Sequence, residues 1–540
     1  MINLRLKQER IAVAPVDFSK RLIWPWRRCK VRILVVADGG IDFSTNGFGL
    51  SELITKALNS SGRPYVDFIV KTAHRNNGIA CDSPGFRFDN SQNPPAALKF
   101  NNANFDQVWL FGAQRTGSLP ALEMKALTDF MNAGGGVFAT GDHENLGQFM
   151  CSEIPRVRSM RKWYWPVAPA GRLVAPDGGS ANRLDTTVVG DTANYQFDDQ
   201  SDETPQNIIP RMFTVGTSSV AHPLLSKSGG IIRVLPDHAH EGECVVPTNL
   251  TEKVIPGDAR DEYPVALGGG ARVQPQIVAI SYSGAGRLTD VNKPAVNPRC
   301  FGAICAYDGH LAGVGRVSVD ATWHHFLNIN LNGTGSGRPG DTGFYVGGVP
   351  NAAYHDIIRY FRNIAIWLSP RRLQFCFRFR WIYYIRYSFP LIWELHKFEY
   401  WDWRSLLDAG SRVREMLEES FSHAEIYETA KELLAGATGE KNQTLVNALA
   451  GLSTEKENIF PPLLKEDTVI NLVLGATIQS IVNQLPEFPN EAAEYFCDKS
   501  DDKKLEAIIS EGLDQGLNAV AALLKDQEAF AKRFNKVLGK

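Results

Sequence analysis

The chain of 540 residues is too long for one ordinary domain, so two to four are expected. With 44% hydrophobic and 21% charged residues it has a globular composition, which excludes a disordered or collagen-like chain. The net charge of -2 hides an asymmetry. Residues 405–540 hold 23 acidic and 14 basic side chains, which leaves residues 1–404 at about +7. A body this mildly basic gives no reason to expect a nucleic-acid partner.

Eight cysteines occur without a CxxC or a regular spacing, which argues against a disulfide framework or a thiolate zinc site and for a reducing compartment. The first residues lack the apolar core of a signal peptide, and no apolar run is long enough to span a bilayer. A cytoplasmic protein is expected.

Residues 1–30 form an N-terminal extension. Residues 31–37 are a near-continuous apolar run, as in a strand buried on both faces. It ends on Asp38-Gly39-Gly40, where a doubly wound fold commonly places a ligand contact. A helix is predicted near residues 49–59, a strand at 65–70, a strand at 106–112 and a helix at 119–133. A glycine turn, Gly134-Gly135-Gly136, then leads into Val137-Phe138-Ala139-Thr140 and the turn Gly141-Asp142-His143-Glu144. This βαβ order predicts a doubly wound, mostly parallel sheet of flavodoxin or amidotransferase type.

Residues 150–275 are rich in Pro, Gly, Asp and Asn and read as a loop-rich insertion, with a short strand at 231–235. The sheet is expected to resume at 276–282, 300–307 and 315–320, and a helix at 354–368 closes an α/β domain spanning 31–370. Residues 371–404 interleave arginines with aromatics, five Arg and no acid lying between 371 and 386. That segment reads as a connecting helix capping the sheet domain, or as a membrane-surface helix through 371–403 or a nucleic-acid-binding one. Residues 405–540 read as an acidic helical domain, clearest at 469–485 and 505–524, and are a candidate homo-oligomerisation element.

Three groups of histidines with acidic neighbours follow predicted strands. They are Asp142-His143-Glu144, Asp237-His238-Ala239-His240-Glu241 and Asp320-Ala321-Thr322-Trp323-His324-His325. A His-x-His pair in extended chain turns both imidazoles to one side, as divalent metal ligands require. The candidate ligands are His143, His238, His240, Asp320 and His324, and imidazoles with carboxylates suit zinc, manganese or iron. The candidate catalytic residues are Asp142, His143, Glu144, Glu241 and His325. Each group also has a structural reading: a helix cap, a solvated loop, or a packed aromatic cluster with satisfied ring nitrogens.

The run 105–111, the helix ending in Ala133-Gly134-Gly135-Gly136, and the strand leading into Gly141-Asp142-His143 resemble the class I glutamine-amidotransferase-like superfamily, in its ThuA-like branch, over residues 31–368. Ala221-His222-Pro223-Leu224 and Gly315-Arg316-Val317 resemble later elements of that family. True amidotransferases carry a Cys at the elbow, where this chain has His143, so the resemblance does not imply thiol chemistry on glutamine. It implies a hydrolase-type or sugar-modifying activity on a small, carbohydrate-like ligand. The alternative is a non-catalytic module of the same fold that binds a ligand or partner, with the helical tail as its interaction element.

Overall fold

A computed structural model describes residues 29–59, 66–142, 145–163, 206–215, 218–227, 230–235, 242–267, 269–283, 299–335, 343–373, 377, 401–418, 466–484 and 501–539. Its centre is a ten-stranded sheet. In chain order the strands are β1 (Cys29–Ala37), β2 (Val66–His74), β3 (Ser83–Pro84), β4 (Gln107–Phe111), β5 (Gly136–Thr140), β6 (Gln206–Pro210), β7 (Val234–Leu235), β8 (Gln276–Ser283), β9 (Arg299–Tyr307) and β10 (Val317–Asp320). Their spatial order is β7-β6-β8-β9-β10-β5-β4-β1-β2-β3.

From β3 to β10 every neighbouring pair is parallel, and the chain reverses direction of winding between β1 and β4. The expected α/β sheet is therefore present. The resumed strands differ from a parallel continuation: β8 and β9 run antiparallel, as do β6 and β7 beyond them. The Pro- and Gly-rich region is also more than loops, since it supplies the edge strands β6 and β7.

The apolar run of β1 splits between two cores because successive side chains leave a strand on opposite faces. Val31, Ile33 and Val35 join one cluster, and Leu34 and Val36 the other. Helix α1 (Ala121–Asn132) covers the second face with Met124, Leu127, Phe130 and Met131. Helix α2 (Ala352–Trp367) covers the first with Ile357, Phe361, Ile364 and Ala365. Each fully buried aliphatic or aromatic side chain here contributes roughly 1.5–3 kcal/mol by leaving water. The helix expected near 49–59 is short, with a π-helical turn over Leu53–Ala57.

Among the described residues three helices follow: α3 (Trp403–Glu418), α4 (Glu466–Gln484) and α5 (Asp501–Val537). α4 is the middle one, with Leu472, Val473, Ala476, Ile478 and Ile481 all buried. Glycines let its neighbours approach closely. A Cβ on Gly475 would collide with the carbonyl oxygen of Leu406, and one on Gly512 would lie 2.6 Å from the Thr477 backbone.

Among the described residues no helix is long and apolar enough to cross a membrane. Cys81, Cys151, Cys244, Cys300 and Cys305 are free thiols, whereas Cys29 is disulfide-bonded. The basic aromatic segment lies largely outside the described residues.

Candidate functional site

The carboxyl ends of β1, β2, β4, β5 and β10 share one edge. Thr140 pairs with Asp320 at the ends of β5 and β10, so the two strands continue side by side into Gly141-Asp142 and Ala321-Thr322. Two residues past the last pair, the Thr322 hydroxyl donates to Asp142 Oδ1 at 3.1 Å. Asp142 Oδ2 lies 3.0 Å from His324 Nε2.

The other ring nitrogen of His324, Nδ1, lies 3.0 Å from the Asn330 amide nitrogen. With that amide as donor, Nδ1 accepts, which leaves the ring proton on Nε2, the nitrogen nearer the Asp142 carboxylate. The backbone N–H of His324 donates to Thr322 Oγ1 at 3.1 Å. Asp142, Thr322, His324 and Asn330 are all buried. A buried carboxylate is tolerable only with such donors around it.

Arg161 joins this network from the loop after β5. Its guanidinium donates to the Asp142 carbonyl at 2.7 Å and to the Ala321 carbonyl at 2.8 and 3.0 Å. It stacks on Trp163, 4.5 Å from the ring centroid. Gly242 closes the third side: a Cβ there would collide with the Ala321 carbonyl and come within 2.9 Å of the Arg161 guanidinium. Only glycine lets the chain pass so near.

The described flanks of all three histidine groups therefore meet at Arg161. They are Asp142 from the first group, Gly242 just beyond Glu241 in the second, and Ala321 in the third. His143, Glu144, His238, His240 and Glu241 themselves lie outside the described residues. The loop holding His143 and Glu144 is closed at its described ends by the Asp142 N–H donating to the Leu146 carbonyl at 3.2 Å.

Asp320 and His325 form a separate, deeper arrangement. The Tyr360 hydroxyl on α2 bonds both Asp320 oxygens, at 2.7 and 2.8 Å. His325 Nε2 is 3.9 Å from Asp320, and its ring packs with Phe326 and Tyr360. His325 is fully buried, so its place is the packed aromatic cluster behind the edge.

Of the proposed metal ligands, Asp320 and His324 do not fit as they stand. Asp320 is turned to Tyr360, and both nitrogens of His324 are engaged by side chains. Among the described residues no group of three or more His, Cys, Asp or Glu could hold a metal ion.

Asp38 belongs to the same edge, at the β1/β4 switch point. Its Oδ1 accepts the N–H groups of Ala113 and Gln114 at 2.6 and 2.8 Å. Burial pushes its carboxyl above the usual range against those bonds and the positive charge of Arg75. Cys151, buried in the interior near Asp38, has its thiol pushed far up by burial and then by the Asp38 charge. Such a thiol is inert as a nucleophile. His222, outside this network, caps the turn Pro223–Leu225 and packs on Trp367, where burial and then Arg316 push its pKa down to about 3.

Sequence reasoning missed Arg161, Asn330 and Tyr360. Arg161 has no sequence signal, because its bonds go to backbone carbonyls that every residue carries. Tyr360 had one: a phenol on the otherwise apolar stripe of a closing helix. No known protein-family model matches the chain, and no curated protein matches it.

Proposed function

We propose that the edge around Arg161 is a composite acid–base site of a hydrolase-type enzyme, acting on a small hydroxyl-bearing molecule of carbohydrate type. The observation that carries this is the meeting of Asp142, Gly242 and Ala321, which belong to or flank the three His/carboxylate segments, at one guanidinium, at the sheet edge where α/β folds bind ligands. The carbohydrate class rests on the ThuA-like resemblance.

In this reading Asp142 and His324 are positioning residues, since both are buried and spend their polar atoms on each other and on Thr322 and Asn330. The groups that meet substrate are His143, one residue beyond Asp142, and Glu241, one residue before Gly242. His143 takes the proton of the attacking water, and Glu241 or Glu144 gives one to the departing oxygen. No step is routed through a metal; a metal-dependent version would rest on His143, His238 and His240.

The test is to screen the full chain against chromogenic glycosides and esters, then assay His143→Ala and Glu241→Gln. Each should retain wild-type thermal unfolding and lose about 100-fold or more in kcat. Full activity in both folded variants overturns the proposal. Elemental analysis of the same samples separates the metal-dependent version, which requires bound metal that His143→Ala releases.

The second reading, a non-catalytic binding module, is favoured by one observation: both nitrogens of His324 are consumed within the protein. Ligand binding that survives His143→Ala, with no turnover of any substrate, would select it.

A further inference from the structure

The C-terminal helical region is acidic as a whole, but its last stretch reverses that charge. After Glu528 the chain reads AFAKRFNKVLGK, with four basic residues and no acid. This stretch is the end of the 37-residue helix α5. Earlier in the helix Leu513, Leu517, Val520 and Leu523 are buried among the neighbouring helices. The last described polar ties to a neighbouring helix are at Asp526, which accepts from Trp403 Nε1 at 3.0 Å and pairs with Arg404 at 3.3 Å. From 528 to 539 every residue is exposed, and the helical part of this stretch, 528–537, projects about 15 Å at helical rise.

That projection is not a polar fray. Phe530, Phe534, Val537 and Leu538 recur at helical spacing and prolong the buried stripe into solvent, with exposures of 69, 51, 83 and 55%. Phe530 and Phe534 stack at 6.0 Å. At 100° per residue Lys532, Arg533 and Lys536 fall beside and behind this stripe. Four large apolar side chains in one exposed row exceed the scattered singles of an ordinary surface.

We propose that the projecting end of α5 is a membrane-surface anchor that lies on anionic lipid. Phe530, Phe534, Val537 and Leu538 enter the headgroup–acyl boundary while Lys532, Arg533 and Lys536 face the anionic headgroups. The charge selects this occupant. A second copy packed stripe to stripe over residues 530–538 would bring Lys532, Arg533 and Lys536 of both copies together with no acid between them. An anionic surface complements every charge in the stretch. The helix is not apolar enough to span a membrane, and an apolar row flanked by basic side chains suits one that lies in the interface plane. This surface is independent of the proposed acid–base site and of the basic aromatic segment at 371–403.

The test is flotation of the full chain with phosphatidylcholine vesicles, with and without about 30% phosphatidylserine. Binding is expected only to the anionic vesicles, and it should fall steeply as salt is raised. F530E/F534E and K532E/R533E/K536E should each weaken it by about tenfold or more. Their thermal unfolding should match wild type, since all five side chains are exposed. Binding that ignores lipid charge, or no binding, overturns the proposal. So does a result in which R378E/R380E/R386E abolishes binding while F530E/F534E leaves it intact. A dimer by sedimentation that F530E/F534E converts to monomer, without vesicle binding, would assign the stripe to a second copy instead.

Discussion

The Arg161 guanidinium donates to the Asp142 carbonyl at 2.7 Å, and through Nη2 and Nε it also bonds the Ala321 carbonyl. One side chain thereby locks the chain leaving β5 to the chain leaving β10. Arg161→Ala would orphan two backbone carbonyls and the face of Trp163, so unfolding in urea should show a loss of about 2–4 kcal/mol. Arg161→Lys keeps the charge but not the fork, and should recover only part of that loss. A loss under about 0.5 kcal/mol in Arg161→Ala would mean that the three segments hold together without it.

The pairing of Asp142 with His324 is open to a double-mutant cycle. Asp142→Ala and His324→Ala each strand a buried polar partner, so their single losses should sum to more than the double variant shows. The expected coupling is about 1–3 kcal/mol by chemical denaturation. Simple additivity would show that the 3.0 Å approach contributes nothing to stability.

At the switch point, burial raises the Asp38 carboxyl above its ordinary value of 3.8. The folded chain then holds a proton there that the unfolded chain gives up, so this contribution to stability is complete below about pH 3.8 and is lost as pH rises through the raised value. Asp38→Asn keeps an oxygen for the Ala113 and Gln114 N–H groups and cannot ionise. Thermal unfolding followed from about pH 4 upward should therefore decline less steeply in the variant than in wild type. Parallel pH profiles would show that Asp38 ionises as readily in the folded chain as in the unfolded one.

Much of the sheet is readable from the sequence because a parallel strand buried on both faces must be apolar almost throughout, as β1 and β4 are. Strand direction is not readable. Apolar alternation looks the same run forwards or backwards, so nothing in the pattern of β8 and β9, consecutive in the chain, says that they pair antiparallel. The site shows the same division. Carboxylates and imidazoles clustered after strands mark Asp142 and His324, because polar residues are unusual where a buried strand ends. His325 carries the same local signal yet faces inward, since both histidines lie in the 3-10 turn His324–Phe326, where successive side chains are turned by roughly 120°. The hydrogen bonds of Arg161 to Asp142 and Ala321 go to backbone carbonyls, which no residue pattern encodes.

In the helical region, intrinsic propensity and packing make opposite predictions at Gly475. Alanine is about 1 kcal/mol better than glycine in a helix interior, so in isolation Gly475→Ala should stabilise α4. Here the added Cβ would collide with the Leu406 carbonyl oxygen of α3, and the Gly410 backbone nitrogen lies 3.1 Å away. Backbone cannot yield as a flexible side chain can, so α3 and α4 must move apart and lose contact along their length. Gly475→Ala should therefore destabilise the chain by about 1–3 kcal/mol, read as a lower Tm for the helical region. A raised Tm would show that α3 and α4 do not pack this closely in solution.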